Sequence, residues 1–476
     1  MITSARNEKV SAALRLKKRT YREEDRAFLV EGAQGVGEAL ERSDGLVRLY
    51  ATDPTHALVE RARTQGVEVV HVSDDVMQRL TSTVTPQGLV GISPYLDVEL
   101  ERIDATPSCI VLLHSVRDPG NAGTVLRSAD AAGAHAIVFT SSSVDAYNPK
   151  TVRASAGSLF HLPLVRGVET EAAVAAARER GARILAMDAT GEADLYEVDL
   201  TEPIAFLFGN EAWGLPSDVA ALADATVRVP IRGGAESLNL AAAASVCLFE
   251  WRRQQREGRR AVLETIIASA AHDIRSPLTA MKGFGHALAT RWEQMTPEQR
   301  SLMLEGIVYD TDRLNAIVRQ LVDAARIAAG SIDLFPERIQ VGGLVAQIAA
   351  SLARDPDHPP LEWQSGHLEV FVDPERLRLV IEAFVESLVW WTNEGPVRIR
   401  ASAADGRFVL DAWRKGTALG ADEASRLFLP RPPGTGAGSK IGLFVALGLA
   451  QAQDGTTTAE VDDGLRFVFD VSVASA

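Results

Sequence analysis

A cluster of polar residues near position 120 has the spacing expected of a ligand-binding helix start. The segment RDPGNAGTVLRSADAAGA follows an apolar run and places Asn121, Gly123 and Arg127 as N-x-G-x-x-x-R. An asparagine at a helix start can cap the helix, and a glycine lets the backbone approach a ligand. An arginine can bind a phosphate through two parallel hydrogen bonds. We interpret the cluster as an anion site, and the alternative is a capped helix with a surface arginine.

Two further clusters follow along the chain. In FLFGNEAWGLP (206–216), Glu211 comes just after an apolar strand, and the carboxyl edge of a parallel sheet is where α/β proteins bind ligands. In VRVPIRGGAESLNLAAAASVCLFEW (227–251), Ser237 and Asn239 precede a helix too apolar to be exposed. Taken singly, the first is typical of an ordinary strand exit and the second of a helix cap. Their order in one chain is far more specific.

In that order, the motifs N-x-G-x-x-x-R, G-N-E-x-x-G-L and P-x-x-G-x-x-x-S-L-N resemble those of the SpoU (TrmH) family of RNA ribose 2′-O-methyltransferases. The resemblance covers about residues 1–255, because Arg22–Gly32 (RxxxxxFLVEG) and Ser82–Gly88 (STVTPQG) look like that family's RNA-binding domain. It implies a parallel-sheet domain with a deep trefoil knot, an exception to the rule that chains are unknotted. It also implies an active dimer and S-adenosylmethionine as the methyl donor.

The resemblance assigns roles to eight residues. Arg127 matches an arginine thought to activate the ribose 2′-hydroxyl or to hold the neighbouring phosphate. Asn121 and Glu211 match positions that shape the reaction centre, and Ser237 and Asn239 match the pair of the third motif. The backbone that lines the methionine and adenine pocket is matched by Gly209, Val229 and Leu238. A ribose hydroxyl is a poor nucleophile, so a cation or base beside it assists transfer from an already activated donor.

The net charge of −14, from 49 basic and 63 acidic residues, argues against a general basic coat for nucleic acid. RNA needs its phosphates neutralised only where the strand lies. We therefore expect the basic residues between 6 and 22, together with Arg127, Arg153 and Arg166, to supply a local RNA-binding patch. The residues leave open whether the RNA is ribosomal, which we favour, or transfer RNA.

The second half of the chain places a histidine beside a carboxylate on a predicted helix. His272, directly before Asp273, lies outside the seam formed by apolar residues at seven-residue intervals from Ile267 and again from Ile307. The segment AHDIRSPLTAMKGF and the helical hairpin that it opens resemble the H-box and dimerisation domain of sensor histidine kinases, and the resemblance extends over about 262–476. It implies that His272 is a phosphoacceptor, that Asp273 orients its ring, and that the hairpin dimerises.

The chain departs from that second family where ATP should bind. Two expected asparagines are Ala383 and Ser387, Arg414 replaces the aspartate that reads the adenine amine, and Lys440 lies within the glycine loop 436–443. An arginine cannot accept the hydrogen bond of the amine, and its charge needs a partner when buried. We expect a degenerate, kinase-like module without autophosphorylation. It would dimerise or receive a signal, with a response-regulator-type protein or another kinase as its partner.

Three functions from different classes remain. RNA ribose methylation by the first half is the best supported. The second is a phosphotransfer signalling protein that uses His272 and has an RNA-binding front half, but it would need an intact ATP site. The third is a pair of inactive scaffolds, which would not need the complete methyltransferase motifs.

Two cysteines cannot build a disulfide framework or a four-thiolate zinc site, so no metal is expected. No apolar run approaches the roughly 18 residues of a membrane helix, so we expect a cytoplasmic protein.

The elements that position these residues are predicted as an α/β chain of four domains. These are an α/β RNA-binding domain at 1–98, a knotted parallel-sheet methyltransferase domain at 105–258, a dimerising helical hairpin at 261–332 and an α/β-sandwich ATPase-like domain at 335–476. Near-continuous apolar runs after residue 109 predict buried parallel strands. A long helix from Leu238 is predicted to end in the arginine-rich segment WRRQQREGRR, which would be the main boundary.

Overall fold

The chain divides into two units, Met1–Arg256 and Glu257–Ala476. The computed structural model describes residues 1–103, 107–329, 331–352, 358–364, 368–404, 406–429, 441–453 and 455–472. Within these ranges, no helix has both the length and the apolar character needed to cross a bilayer. One helix, Leu240–Arg291, runs through the division, so its two parts are described with the unit to which each belongs.

The N-terminal part of the first unit is a four-stranded sheet with helices packed on it. The strands are β1 (Ala27–Glu31), β2 (Arg48–Ala51), β3 (Glu68–His71) and β4 (Leu89–Pro94). Their order is β1–β4–β2–β3, with β4 antiparallel to both of its neighbours and β2 parallel to β3. The helices are α1 (Glu8–Arg15), α2 (Arg19–Asp25), α3 (Ala33–Ala39), α4 (Ala57–Thr64) and α5 (Asp74–Leu80). Apolar residues of α1 and α5 form one core with the sheet.

A parallel sheet of seven strands follows. The strands are β5 (Cys109–Leu113), β6 (Ala136–Thr140), β7 (Leu164–Val168), β8 (Arg183–Met187), β9 (Ala193–Asp194), β10 (Ile204–Phe208) and β11 (Ala225–Arg228). They lie in the order β7–β6–β5–β10–β8–β11–β9, and every recorded pair is parallel. The helices are α6 (Pro119–Ala132), α7 (Pro149–Ala154), α8 (Thr170–Glu179), α9 (Ser217–Ala220) and the first part of α10 (Leu240–Arg291).

The predicted parallel strands are confirmed, because apolar runs of this kind must be covered on both faces. All residues of β5, β6 and β10 are buried, and helices pack on either side of the sheet. Strand β7 was not predicted, since Arg166 and Gly167 interrupt its apolar run. The parallel-sheet methyltransferase fold is present as expected. Strand order does not determine how the chain threads its own loops, so the trefoil knot stays a prediction.

A buried ion pair joins the two parts of the first unit. Arg22 is only 2% exposed, and its Nε donates to Asp145 Oδ2 at 3.1 Å. Its Nη1 also donates to the carbonyl oxygens of Leu16 (2.9 Å) and Lys17 (3.0 Å). The guanidinium is therefore fully engaged inside the protein. Arg22 belongs to the segment predicted to contact RNA, and the structure instead gives it a structural role.

The arginine-rich segment does not end the helix that enters it. Helix α10 begins at Leu240, two residues after the predicted start, and continues through the segment to Arg291. The arginine, glutamine and glutamate residues of the segment all favour helix, and its one glycine costs only about 1 kcal/mol relative to alanine. The expected stop at the segment is therefore wrong.

The second unit contains the predicted antiparallel hairpin. Its helices are the later part of α10 and α11 (Pro297–Ala329), joined by a short 3₁₀ turn at Trp292–Gln294. The ring of Phe284 lies directly over Gly306, and Thr311 Oγ1 lies 3.9 Å from Met281 Sδ, as an antiparallel pair requires. On α10, Ile267 of the predicted seam is exposed in the single chain, so the hairpin itself does not cover it. Its neighbour Ile266 is buried instead, against the α/β core of the same unit.

The rest of the second unit is an α/β sandwich. A five-stranded sheet has the order β13–β15–β16–β18–β17, and β12 pairs with β14. The elements are β12 (Glu337–Gln340), α12 (Val341–Leu352), β13 (Leu361–Gln364), β14 (Glu369–Val372), α13 (Pro374–Trp391), β15 (Thr392–Ala404), β16 (Arg407–Thr417), α14 (Ala421–Ser425), α15 (Gly442–Gln451), β17 (Thr456–Val461) and β18 (Gly464–Ser472). Helices α12, α13 and α15 share one apolar core with the sheet. Lys440 and most of the predicted glycine loop lie outside the described residues.

Candidate functional site

The two central strands of the seven-stranded sheet deliver the first two motifs to one edge. Strands β5 and β10 are parallel neighbours, and the N–H of His114 donates to the carbonyl oxygen of Phe208 (2.8 Å) just beyond their ends. Here the strand order reverses, which is where doubly wound sheets form ligand crevices. Asn210 then ties the two exits together, because its Nδ2 donates to the carbonyl oxygen of Ser115 at 2.7 Å. Ser115 has a left-handed backbone (φ 54°), rare for a residue with a side chain.

The second motif forms a closed backbone turn. Asn210 and Gly214 exchange two backbone hydrogen bonds, of 2.9 and 3.0 Å, and the N–H of Ala212 donates to Asn210 Oδ1 (2.8 Å). A Cβ on Gly209 would lie 2.4 Å from the carbonyl carbon of Gly214, so only glycine fits at position 209. Gly214 itself has φ 70°. The turn therefore holds Glu211 and Trp213 in fixed positions relative to the strand end.

The Glu211 carboxylate is bound by the loop that leaves β5. Its Oε2 accepts the N–H of Arg117 (3.0 Å), and its Oε1 accepts the N–H of Asp118 (3.0 Å) and Nδ2 of Asn121 (3.3 Å). Partial burial would raise the pKa of Glu211, but these hydrogen bonds together lower it. Glu211 is therefore held as a carboxylate and clamps the turn 209–214 to the start of α6.

The structure corrects the roles that sequence alone suggested for Asn121 and Gly123. The cap of α6 is Asp118, whose Oδ1 accepts the N–H of Asn121 (2.8 Å), with Pro119 in the first turn. The side chain of Asn121 is thereby free to turn towards Glu211. At Gly123 a Cβ would lie 2.4 Å from the carbonyl oxygen of Thr151, so the close approach there is made by α7 and not by a ligand.

The third motif reaches the same place from the start of α10. Asn239 caps that helix, since its Oδ1 accepts the N–H groups of Ala241 (2.9 Å) and Ala242 (3.3 Å). Its Nδ2 donates to Asn121 Oδ1 at 3.1 Å. The capping interpretation of Asn239 is therefore confirmed. Asn121, Glu211 and Asn239 form one hydrogen-bonded cluster at the edge of the sheet.

A cavity of about 290 Å³ opens beside this cluster. Among the residues that line it are five with expected roles, Gly209, Glu211, Val229, Ser237 and Leu238. Its polar lining residues are Asp188, Asn210, Glu211 and Ser237, and the other lining residues are apolar or glycine. A mostly apolar hollow with a few directed polar groups suits a ligand that combines an aromatic base with charged ends. The residues present therefore fit S-adenosylmethionine.

Arg127 lies outside the cavity lining, and the rest of the predicted RNA patch is only partly available. Arg127 is exposed on α6 and makes no hydrogen bond or ion pair with any residue that the structure describes. In contrast, Arg153 pairs with Glu31 (3.5 Å) and Arg166 with Glu23 (3.0 Å). Most basic residues between 6 and 22 are likewise held by carboxylates or carbonyls: Lys9, Arg15, Lys17, Arg19 and Arg22.

Sequence reasoning overlooked three residues that build the site. Asp118 and Asn210 position Asn121 and the turn, and Arg117 contributes its backbone N–H to Glu211. Asp118 could have been found, because an aspartate directly before a proline is a strong helix-start signal. Arg117 could not, because a backbone N–H leaves no mark on residue type. Its side chain is exposed and without a bonding partner among the described residues.

In the second unit, His272 is exposed and Arg414 is buried. His272 Nδ1 lies 3.1 Å from Asp273 Oδ1, as the expected orienting role of Asp273 requires. Arg414 donates to the carbonyl oxygens of Thr392 (2.7 Å) and Gly395 (2.9 Å), and burial lowers its pKa. These carbonyls are the partners that its buried charge needs. Ala383 and Ser387, at the two asparagine positions, are fully buried on α13.

Comparison with known proteins finds family matches in both halves of the chain. Residues 108–249 match the SpoU rRNA Methylase family, 7–91 the MRM3-like substrate binding domain and 262–330 the His Kinase A (phospho-acceptor) domain. A Bacillus subtilis relative, 23S rRNA (guanosine(2553)-2′-O)-methyltransferase RlmP, is 33% identical over 53% of this chain and 98% of its own length. The 23S rRNA (uridine(2479)-2′-O)-methyltransferase of Streptomyces viridochromogenes is 36% identical over 49% of this chain and 85% of its own.

A solved structure agrees with these relatives. The SpoU methyltransferase AviRb from Streptomyces viridochromogenes, in complex with the cofactor AdoMet, is 32% identical, with a TM-score of 0.50. The match covers 53% of this chain and 99% of the AviRb chain.

The chain belongs to the SpoU rRNA methylase family through its first half. The enzyme class expected from the sequence, an RNA 2′-O-ribose methyltransferase with S-adenosylmethionine as donor, is confirmed at the level of the family. The histidine-kinase-like segment of the second half is confirmed as well.

Proposed function

We propose that the first unit transfers a methyl group from S-adenosylmethionine to a ribose 2′-hydroxyl of ribosomal RNA. The observation that carries the proposal is the joining of three distant motifs, through Asn121, Glu211 and Asn239, at the rim of one cavity. Both curated relatives described above are named as 2′-O-methyltransferases of 23S rRNA, which favours ribosomal over transfer RNA. That substrate implies action in the cytoplasm.

The residues of this chain act mainly by positioning. Gly209, Val229, Ser237 and Leu238 would hold the donor, whose sulfonium-bound methyl group is already activated for transfer. Glu211, on the turn after β10, keeps this pocket against the start of α6 through its bonds to the loop that leaves β5. Asn121 presents its amide at the junction. Holding the hydroxyl and the methyl group in line supplies most of the acceleration in such a reaction.

Arg127 is the residue proposed to act on the RNA. Its guanidinium is exposed and carries no internal partner among the described residues, so its charge is available to a phosphate or to the developing alkoxide. We expect Arg127→Ala to abolish methyl transfer to RNA from labelled donor while the protein stays folded. Arg183→Ala, at an exposed arginine at the start of β8, is the matched control and should transfer normally. Retained methyl transfer in Arg127→Ala would contradict the role proposed for Arg127. Mapping the methylated nucleotide in the wild-type reaction then identifies the RNA.

We also propose that the chain is a homodimer. The match of 262–330 to a phospho-acceptor domain of histidine kinases supports this for the second unit. Helix α11 presents a row of exposed apolar side chains at helical spacing, Leu304, Val308, Val318 and Val322. Covering such a row removes apolar surface from water. Light scattering should give the mass of a dimer for the full chain, and a monomeric mass would exclude it.

For the second unit we propose a regulatory module that does not phosphorylate itself. Arg414 is bound to Thr392 and Gly395 and has no carboxylate with which to accept the adenine amine. His272 is nevertheless accessible to another phosphoprotein, such as a separate kinase or a response regulator. Incubation with labelled ATP and Mg²⁺ should leave the full chain unlabelled, with an active histidine kinase as positive control. Label that disappears in His272→Gln would overturn the proposal and favour phosphotransfer signalling.

A further inference from the structure

Trp213 is the most exposed large apolar side chain on the wall of the candidate cavity. It is 62% exposed, whereas the other exposed apolar residues of the wall, Ile231 and Leu238, are 36% and 40% exposed. Leaving an indole in water forgoes a large burial energy. An exposed ring on the wall of a functional cavity therefore points to a ligand that covers it.

The ring is attached to a backbone that cannot move freely. The two backbone bonds between Asn210 and Gly214 close the turn on which Trp213 lies, and Asn210 anchors that turn to Ser115. Gly209 packs closely against Gly214, since a Cβ at position 209 would lie 2.4 Å from the carbonyl carbon of Gly214. A rigidly presented aromatic ring loses little conformational entropy on binding.

Trp213 is also close in sequence to the reaction centre. Glu211, two residues earlier on the same turn, bonds to Asn121 on α6. Given the proposed function, the reacting ribose must lie between this cluster and the methyl group. The nucleobase attached to that ribose then comes within reach of Trp213, which lines the same cavity and is exposed.

We propose that Trp213 stacks on the base of the nucleotide that is methylated. The proposal rests on the RNA methyltransferase function proposed above. Every base has a flat π-face, so stacking is tolerant of sequence and supplies affinity without selecting a particular base. The buried residues Phe208 and Val227, with the partly buried Val229, line the cavity for the donor without the exposed indole.

The test compares three variants of the full chain with the wild type. We expect Trp213→Ala to raise KM for RNA by about 5- to 140-fold, the range that loss of one base–aromatic stack produces. Trp213→Phe should restore much of that loss. The affinity for S-adenosylmethionine, measured by calorimetry without RNA, and the oligomeric mass should be unchanged. Tyr196→Ala removes a similarly exposed aromatic residue away from the cavity and should behave as the wild type.

Fluorescence gives an independent readout. Addition of RNA should quench part of the wild-type tryptophan emission, and that part should be missing in Trp213→Phe. An unchanged KM for RNA in Trp213→Ala would overturn the proposal. So would a loss confined to donor affinity, which would place the indole on the donor, or a change in mass, which would place it at a subunit contact. Failure of the wild type to methylate RNA would instead refute the proposed function itself.

Discussion

Asn239 donates a hydrogen bond from its side-chain amide to the side-chain oxygen of Asn121, across 118 residues of chain. The same Asn121 amide donates onward to Glu211. One planar group thus connects the starts of two helices with the turn after β10. Because an amide offers a donor and an acceptor at once, an ionised carboxylate, which can only accept, cannot replace it in this position.

Substitution of Asn121 is expected to reduce catalysis without unfolding the protein. Asn121→Ala removes both bonds of the bridge and frees Glu211 on one side, while Asp118 still caps α6. A loss of kcat on the order of 100-fold is expected from the resulting misplacement of reacting groups. Thr124→Ala, at an exposed position one turn later on the same helix, is the control. Comparable kcat values for Asn121→Ala and the control would show that the bridge does not position the reaction.

Stability should depend on pH through His161. Its Nδ1 lies 2.9 Å from Asp130 Oδ2 and its Nε2 3.2 Å from Glu38 Oε2. Desolvation lowers the pKa of His161, but the two carboxylates outweigh it and raise the pKa. A raised pKa in the folded state stabilises the protein fully below the unfolded value of about 6.5, and this gain is lost as pH rises through the folded value.

The measurement for His161 compares thermal unfolding of the wild type and His161→Gln between about pH 5.5 and 9. The wild type should have the higher Tm at the acidic end, and the difference should shrink towards the alkaline end. His286→Gln, at an exposed histidine without an ion-pair partner among the described residues, should show no such trend. A difference independent of pH would mean that the carboxylates do not interact with the imidazolium.

Breaking the buried pair between Arg22 and Asp145 should destabilise the first unit severely. In Asp145→Ala the guanidinium keeps its two backbone carbonyls but loses its counter-charge inside the protein. Removal of one partner of a buried pair costs about 3–5 kcal/mol of unfolding free energy. Asp44→Ala, which breaks an exposed pair with Arg42, should cost at most about 1 kcal/mol. Equal effects in denaturant titrations would show that burial does not matter here.

We predict that residues 1–258 fold alone. The buried residues that α10 gives to the core of the first unit end at Trp251, and its last side-chain bond to this unit is from Gln255 Nε2 to the carbonyl oxygens of Leu200 (2.8 Å) and Thr201 (3.0 Å). The fragment should unfold cooperatively and bind the donor. A fragment ending at residue 246 lacks Leu248 and Trp251 and should be unfolded. A 1–258 fragment without a cooperative transition would contradict the proposed domain boundary.

The sequence predicted some parts of this molecule better than others, for physical reasons. Strands β5, β6 and β10 were predictable because a strand covered on both faces must be apolar throughout. The continuation of α10 was not, since helix propensity competes with a charge pattern that also suits a boundary. The three motifs were recognisable, but the clamp on Glu211 uses the backbone of Arg117 and Asp118, which any residue type supplies. Charge likewise gave no sign that Arg22 is buried and Arg127 is free.

The contact between Gly123 and α7 has a mechanical meaning. The missing side chain lets the two helices touch backbone to backbone, two residues after Asn121 and four before Arg127. A Gly123→Ala substitution would push α6 outward as a body and carry the amide and the guanidinium with it. Because Asn121 and Arg127 lie on one helix, their spacing stays constant when α6 is displaced. The distance between the reaction centre and the RNA contact changes only if α6 bends.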